Sequence, residues 1–293
     1  MIDLSLLDKQ FFQLALIAAL LVGLCAPAVG TFIVQRRLAL LGDGIGHVAL
    51  TGVALGFLTG TAPVLTAVVV AIAGALAIEL VRARGRTSGD VALALLFYGG
   101  IAGGVMLMGI APGGSNAKLN SYLFGAIASV TTEDIWVIGG LAVLVLGVVT
   151  VFGRELFVLC QDEEMARASG LPVRFLSVLV AVTAALTVVI AMRVVGLLLV
   201  SALMVIPVAT SQQLTRGFRT TMLLAMVFGV VASVGGLLAS TASTRVPPGA
   251  AIVLLALAGF VLALGVGRFV RQGRSQESNV SQQAGSVRVK EVR

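Results

Sequence analysis

The sequence predicts an all-α polytopic membrane protein, because of its composition, its long apolar runs and the placement of its basic residues. Of the 293 residues, 58% are hydrophobic and 11% are charged, whereas a soluble domain carries about 25% charged residues. Apolar runs of about 20 residues, the length that an α-helix needs to cross a bilayer, recur along most of the chain. Lys and Arg concentrate between these runs. The three features exclude a soluble globular domain and predict about nine transmembrane helices, within a range of eight to ten.

The apolar runs define the predicted spans. They cover residues 11–35, 44–60, 63–81, 91–111, 134–153, 175–192, 194–213, 221–241 and 250–268. The second run is short and begins beside polar residues, and only Arg193 separates the sixth run from the seventh. Pro207 lies inside the seventh run, where the missing backbone N–H of proline is expected to kink or break the helix.

The basic residues predict the orientation, since Lys and Arg are enriched in cytoplasmic loops. With the N-terminus outside, four of the 20 basic residues fall outside and the other 16 fall inside. This asymmetry favours an odd number of spans and a C-terminus on the inner side. The net charge of +7 is therefore a topology signal rather than a sign of nucleic-acid binding. Residues 1–271 form the predicted transmembrane domain, and the polar, basic tail 272–293 is predicted to be disordered.

Two connecting segments are long enough to have a role of their own. The outer one, residues 111–134, contains SYLFGAIASV, which is too short to span and is predicted to be a re-entrant or surface half-helix. The inner one, residues 153–174, contains the short helical signal DEEMARAS, which Gly170 and Pro172 end. Cys25 and Cys160 lie far apart in the sequence and imply no disulfide framework.

Motifs for enzymatic chemistry are missing from the sequence. There is no GxxxxGK[ST] loop, and Lys occurs only at positions 9, 118 and 290, so ATP phosphates have no binding loop in this chain. There is also no GxSxG and no HExxH motif. The chain is predicted not to be an enzyme and to hold no cofactor. If ATP drives it, another chain hydrolyses the ATP.

One polar pair stands out in the apolar sequence LLGDGIGHVALTGVALGFLTG, residues 40–60. His47 is the only histidine of the chain, and it follows Asp43 by four residues, so both side chains share one face of a helix. A carboxylate and an imidazole suit borderline divalent ions such as Zn²⁺ or Mn²⁺. Two ligands are too few for a tight site, but a twofold dimer would bring two such pairs to its axis.

A purely structural interpretation of the same pair stays open from the residues alone. Asp43 is a favoured type of N-cap for a helix starting near Gly44, and His47 can be a hydrogen-bonded packing residue. Ionisable groups at membrane depth are expensive and are usually functional, which favours the metal site.

Several segments together resemble the membrane permease subunits of bacterial ABC importers for zinc and manganese. They are RRLALLGDGIGHVALTGVALGFLTG (36–60), SYLFGAIASV (121–130), DEEMARASGLPV (162–173), AMRVVGLLLVSALMVIPVAT (191–210) and PPGAAIVLL (247–255). Each segment alone is a modest apolar pattern, but their order and spacing match the family over nearly the whole chain except the tail.

The resemblance implies a fold like that of the vitamin B12-type importer permeases, with fewer helices. It implies a homodimer in the bacterial cytoplasmic membrane, paired with two cytoplasmic ATPase subunits. It also implies an extracellular or periplasmic metal-binding protein that delivers the ion. Docking of that protein is expected on the outer segments 111–133 and 242–249.

The family pattern G-D-x-x-S-H-A, whose acidic residue and histidine are implicated in the metal path, matches Asp43 and His47 here. This sequence departs from the pattern at Gly46, where serine is usual, and at Thr51, where proline is common. These departures leave the choice between zinc and manganese open. The family's cytoplasmic coupling helix, which contacts the ATPase, maps onto four positions: Asp162, Glu163, Ala166 and Gly170. An amphipathic loop helix lying on the bilayer is the alternative for that segment.

The function that these features predict is import of a divalent metal ion by alternating access. Three rivals stay open at this point. One is an ion-coupled secondary carrier or channel, which the scarcity of buried acidic residues disfavours. Another is an ABC permease for a metal chelate such as a siderophore or cobalamin, which has no need for the Asp-His pair. The third is an intramembrane enzyme, for which no catalytic constellation is present.

Overall fold

The computed structural model describes residues 9–83, 89–111, 121–125, 131–241 and 246–266, and most of these residues are helical. The all-α fold is confirmed: within this part of the chain there is no strand, and eight helices are long and apolar enough to cross a membrane. The predicted tail 272–293, residues 126–130 of the half-helix, and parts of both outer segments lie outside the described residues.

The helices follow the predicted spans closely. The first half contains α1 (Gln10–Gln35), α2 (Leu41–Thr59), α3 (Pro63–Ala83) and α4 (Gly89–Ile110). The second half contains α5 (Thr132–Val151), α6 (Gly153–Gln161), α7 (Glu163–Ala168), α8 (Val173–Val194), α9 (Leu197–Leu214), α10 (Phe218–Ser240) and α11 (Pro248–Val266). The seventh predicted span corresponds to α9, whose apolar part, Leu199–Leu214, is shorter than the eight candidate spans.

The centre of the protein is formed by α1, α2 and α8. In these helices 67–78% of the most apolar window is buried inside the protein, against 22% in α5 and in α11. The central α2 packs against α3, α4, α8 and α9, while α1 packs against α10, α9 and α8. The helix that carries Asp43 and His47 therefore meets protein on most of its surface.

Glycines let the backbones of these helices approach closely. A Cβ on Gly100 of α4 would lie 2.6 Å from the carbonyl carbon of His47 in α2, and one on Gly52 would lie 2.7 Å from Cα of Ala67 in α3. Thr51 of α2 strengthens the contact with α4, because its hydroxyl donates to the carbonyl oxygen of Gly100 at 2.8 Å. α2 is held between its neighbours by backbone contact as well as by side chains.

The chain between α8 and α9 is interrupted at Gly196 rather than at the proline. Gly196 has φ +89, a left-handed conformation that favours glycine, and a Cβ there would collide with the backbone of Phe124. Pro207 does not break α9, which continues to Leu214.

The short segment 121–125 packs on protein, as a re-entrant segment requires. Residues 121–124 form one helical turn. Its Tyr122 ring meets Phe57 of α2 with centroids 6.1 Å apart, and the Phe124 backbone lies against Gly196 and Gly249.

The contact between α2 and α4 can be tested with neighbouring glycines. Gly100→Ala is expected to lower the free energy of unfolding by about 1–3 kcal/mol, because its Cβ overpacks the His47–Val48 peptide. Gly99→Ala is the matched control, since a Cβ there meets no atom within 4 Å, and alanine has the higher helix propensity. The measurement is the thermal unfolding midpoint in detergent. Equal midpoints for the two variants would contradict the close backbone contact.

Candidate functional site

Asp43 lies in the first turn of α2, which begins at Leu41. The residue in the N-cap position is Leu40, without a side-chain cap, so the alternative in which Asp43 caps this helix is wrong. The Asp43 carboxylate instead accepts a hydrogen bond from the Ser201 hydroxyl of α9, with Oγ 2.5 Å from Oδ1. Because Ser201 belongs to α9, a neighbouring helix orients the carboxylate. The helix dipole of α2 also favours a negative charge in its first turn.

His47 lies one turn further along the same face and is buried, with 8% of its surface exposed. Its ring meets Phe97 of α4 edge to face, with centroids 4.6 Å apart. Its Nδ1 atom is buried and has no hydrogen-bond partner among the described residues. A buried polar atom left unpaired costs about 1–3 kcal/mol. The alternative of a hydrogen-bonded packing histidine does not account for this nitrogen, whereas a bound ligand would satisfy it.

Within the described part of the chain, the pair has no third His, Cys, Asp or Glu beside it that would complete a metal site. Across the described ranges, no group of three or more His, Cys, Asp and Glu side chains is arranged to hold a metal ion. One chain thus offers one carboxylate and one imidazole on a single helical face. Completion by a second copy stays a prediction.

The departures from the family pattern at Gly46 and Thr51 have structural reasons. A Cβ on Gly46 would collide with Cδ1 of Leu197 and lie 3.5 Å from Cγ1 of Val188, so glycine makes room for the start of α9. Ser201 supplies a hydroxyl to Asp43 from a different helix. The Thr51 hydroxyl anchors α2 to α4 through its hydrogen bond to Gly100, and a proline at this position could not make that bond.

The predicted coupling segment forms a short helix with a defined cap at each end. Asp162 is the N-cap of α7, and its Oδ1 accepts from the backbone nitrogens of Glu164 at 2.8 Å and Met165 at 3.2 Å. Gly170 follows the helix with φ +79, and the nitrogen of Leu171 bonds back to the helix. The predicted helix signal and its end at glycine are confirmed.

The faces of α7 have different environments. Ala166 is fully buried and seats the helix on the protein, while Met165 is 64% exposed beside the exposed Glu164. Glu163 lies 3.7 Å from Arg36 and 3.4 Å from Arg167. The predicted residues therefore shape and seat the helix, and Met165, which the sequence analysis missed, is its large exposed apolar side chain.

Arg36 joins α7 to the centre of the protein. It follows α1 directly, its side chain is 7% exposed, and its Nη2 donates to the Ser177 hydroxyl of α8 at 3.1 Å. The same nitrogen lies within ion-pair distance of Glu163. Arg37 then turns the chain with φ +58 towards α2. Burial raises the pKa of the Cys160 thiol to about 11, against the opposing positive charge of Arg36.

Comparisons with known proteins agree over most of the chain. The sequence model of the ABC 3 transport family matches residues 8–267. The chain is 36% identical over 259 residues to the manganese transport system membrane protein MntC of Halalkalibacterium halodurans, with 88% of each chain covered. It is 34% identical to the manganese import system permease protein ScaB of Streptococcus gordonii, with 87% of this chain and 91% of ScaB covered.

A solved structure extends the likeness to the fold. The chain superposes on PsaBC from Streptococcus pneumoniae, determined in complex with Fab, with a TM-score of 0.80 and 34% sequence identity. The superposition covers 88% of this chain and 92% of the other. The fold class expected from the sequence is confirmed.

The cap of α7 can be tested without reference to activity. Asp162→Ala is expected to destabilise the helix by about 1 kcal/mol, because two backbone N–H groups lose their acceptor. Asp162→Asn, which keeps an oxygen in place, should have little effect. Hydrogen–deuterium exchange of residues 163–168 is the measurement. Equal protection in the alanine variant and the unmodified protein would rule out a capping role.

Proposed function

Because this chain belongs to the ABC 3 transport family, we propose that it is the permease subunit of an ATP-driven importer for a divalent metal ion. The names of relatives such as MntC and ScaB favour Mn²⁺, with Zn²⁺ as the alternative. Family membership favours an ATP-driven permease over an ion-coupled carrier. The manganese relatives favour a bare ion over a chelate.

The observation that carries the proposed metal path is the unpaired, buried Nδ1 of His47, one helical turn after an oriented carboxylate. Nitrogen and oxygen ligands suit both Mn²⁺ and Zn²⁺. In this proposal Asp43 binds the ion through a negatively charged carboxylate, and His47 binds it through an uncharged ring nitrogen. The Ser201 hydroxyl, on α9, holds the Asp43 carboxylate in position. Residues that bind a metal are typically oriented by hydrogen bonds of this kind from neighbouring side chains.

A transient site must release its ion as well as bind it. In the proposed homodimer, two Asp-His pairs meet across the twofold axis and share the ion. Separation of the two copies would then halve the ligand set and release the ion. This makes binding sensitive to a small movement of α2.

The proposed cycle is alternating access in a bacterial cytoplasmic membrane, with the N-terminus outside and the C-terminus inside. A separate binding protein delivers the ion to the outer segments. Two cytoplasmic ATPase subunits bind at the exposed face of α7 and drive the change of state. This chain supplies the path and performs no covalent chemistry.

Arg36 is the proposed mechanical link between α7 and the metal path. It contacts Glu163 of α7 and Ser177 of α8, and it is the first residue of the short turn between α1 and α2. Its Nη1 is buried without a partner in the described part of the chain, so the guanidinium has capacity for a different acceptor in a second state. A displacement of α7 would thus act on the segment just before Asp43.

The metal path is tested by uptake of radioactive Mn²⁺ into cells that express the complete transporter. Asp43→Ala and His47→Ala are each expected to reduce uptake at limiting Mn²⁺ by at least about tenfold, since loss of even an outer-shell partner costs about 10–100-fold in metal affinity. Zn²⁺ and a manganese chelate are offered in parallel. Normal uptake by both variants, at equal expression, would refute the site, and uptake of the chelate alone would refute the proposed cargo.

The role of Ser201 has a control on its own helix. Ser201→Ala is expected to raise the KM for Mn²⁺ uptake by about tenfold, because the Asp43 carboxylate loses its positioning donor. Ser211→Ala should leave the KM unchanged, since the buried Ser211 hydroxyl donates to the Pro207 carbonyl oxygen of the same helix and does not contact Asp43. Equal KM values for the two variants would show that the bond to Asp43 does not matter for transport.

The link through Arg36 is tested by comparing transport with ATP hydrolysis. Arg36→Ala is expected to leave ATP hydrolysis by the purified complex in place but to lower the Mn²⁺ moved per ATP severalfold. Arg37→Ala, which removes the exposed neighbouring charge, is the control. If Arg36→Ala prevents assembly, Glu163→Gln breaks the same contact from α7. An unchanged ratio in the assembled Arg36 or Glu163 variant would exclude the link.

A further inference from the structure

A groove of about 880 Å³ lies where the ends of α1, α5, α6 and α10 meet. Apolar side chains line it, among them Phe32, Val149, Phe157, Phe218 and Leu223. Phe218 contacts the rings of Phe32 and Phe157, with centroids 5.3 and 4.8 Å apart. The volume falls within the range of about 300–1,000 Å³ that is usual for small-molecule pockets. The metal path described above does not use this groove.

Two arginines belong to the same groove. Arg154 and Arg219 both line it, and both are exposed. Neither forms an ion pair with any acidic side chain in the described residues. Glu155, the acidic residue next to Arg154, is not part of the lining. The groove therefore combines an apolar wall with two positive charges that no acidic side chain of the described residues neutralises.

The groove lies at the ends of two candidate membrane spans. It includes the last turn of α5, at Val149 and Thr150, and the first turns of α10, at Met222 and Leu223. Leu223 is 59% exposed, and Val151 of α5 is 69% exposed, as expected of side chains that face lipid. The basic residues predict that this end of the protein is cytoplasmic. The apolar wall is then at the depth of acyl chains, and the arginines are at the depth of the headgroups.

We propose that this groove binds an anionic phospholipid of the inner leaflet. One acyl chain lies along Phe157, Phe218 and Leu223, and the phosphate is held by Arg154 and Arg219. The guanidinium group matches the geometry and charge of a phosphate. Basic pockets between transmembrane helices on the cytoplasmic side are suited to anionic headgroups. A zwitterionic lipid is attracted less strongly to the two arginines, because its headgroup carries a compensating positive charge.

The lipid would fill the junction between α5, α10 and α6. Since α6 leads directly into α7, an occupied groove would support the base of the segment proposed to contact the ATPase. Lipid binding here does not depend on which ion is transported, because neither Asp43 nor His47 lines the groove.

The test uses the full chain in detergent, titrated with phosphatidylglycerol or with phosphatidylcholine of the same acyl chains, and native mass spectrometry counts the bound lipid. We expect preferential retention of phosphatidylglycerol. Arg154→Gln and Arg219→Gln should each weaken its binding by about fivefold, and the double variant should bind it more weakly than either single variant. Equal binding of the two lipids, or unchanged binding in the double variant, would overturn the proposal.

Arg174→Gln is the matched control. Arg174 is exposed and is the second residue of α8, just as Arg154 and Arg219 are the second residues of α6 and α10, but it does not line the groove. Its substitution should leave phosphatidylglycerol binding unchanged. An equal loss of phosphatidylglycerol binding in this variant would show that general surface charge causes the effect, and it would overturn the proposal.

The apolar part of the groove is tested with both arginines in place. Gly153 lines the groove and a Cβ there meets no atom within 4 Å, so Gly153→Leu should fill the groove and displace the lipid without unfolding the protein. Gly147→Leu in α5 is the control, with equally open space outside the lining.

If the arginine variants lose the co-purified ATPase chain but retain phosphatidylglycerol, the groove is a protein-docking surface instead, and the lipid proposal is wrong.

Discussion

The burial of α2 among four other helices is the constraint on which the rest of the structure depends. Its most apolar window has a mean hydropathy of 1.4, against 2.1–2.6 for the other candidate spans. A helix that carries a carboxylate and an imidazole is costly in contact with lipid, but tolerable where protein surrounds it. Glycines at the contacts with α3 and α4 allow that enclosure, because they bring backbones within reach of one another. The enclosure also buries the Nδ1 atom of the imidazole.

The transmembrane helices could be predicted from the sequence because hydropathy is a local property with a fixed length scale. The boundaries of α2 were less predictable, since its first turn is polar, and a start near Gly44 suggested a cap that does not exist. The short helix α7 was predictable because Asp162 and Gly170 act on residues within a few positions of themselves. The hydrogen bond from Ser201 to Asp43 joins residues 158 positions apart, and no local pattern encodes it.

A very short stretch of chain connects the proposed metal path with the predicted cytoplasmic surface. Arg36 contacts α7 and α8, and only seven positions later the carboxylate of Asp43 contacts α9. A long relay of side chains is therefore unnecessary in the proposed mechanism, since one turn of backbone connects the two regions. The groove between α5, α6 and α10 includes Phe32, which lies one turn before Arg36, so the proposed lipid would bind close to this connection.

The contact of Gly46 with Leu197 carries an evolutionary consequence. A side chain at position 46 would occupy the space that Cδ1 of Leu197 now fills. A homologue with serine at position 46 must therefore have a smaller residue at the position of Leu197, or turn that side chain away. Residues 46 and 197 should consequently vary as a correlated pair among homologous sequences. An engineered serine at 46 alone would require the Leu197 side chain to shift, and a smaller residue at 197 would remove that requirement.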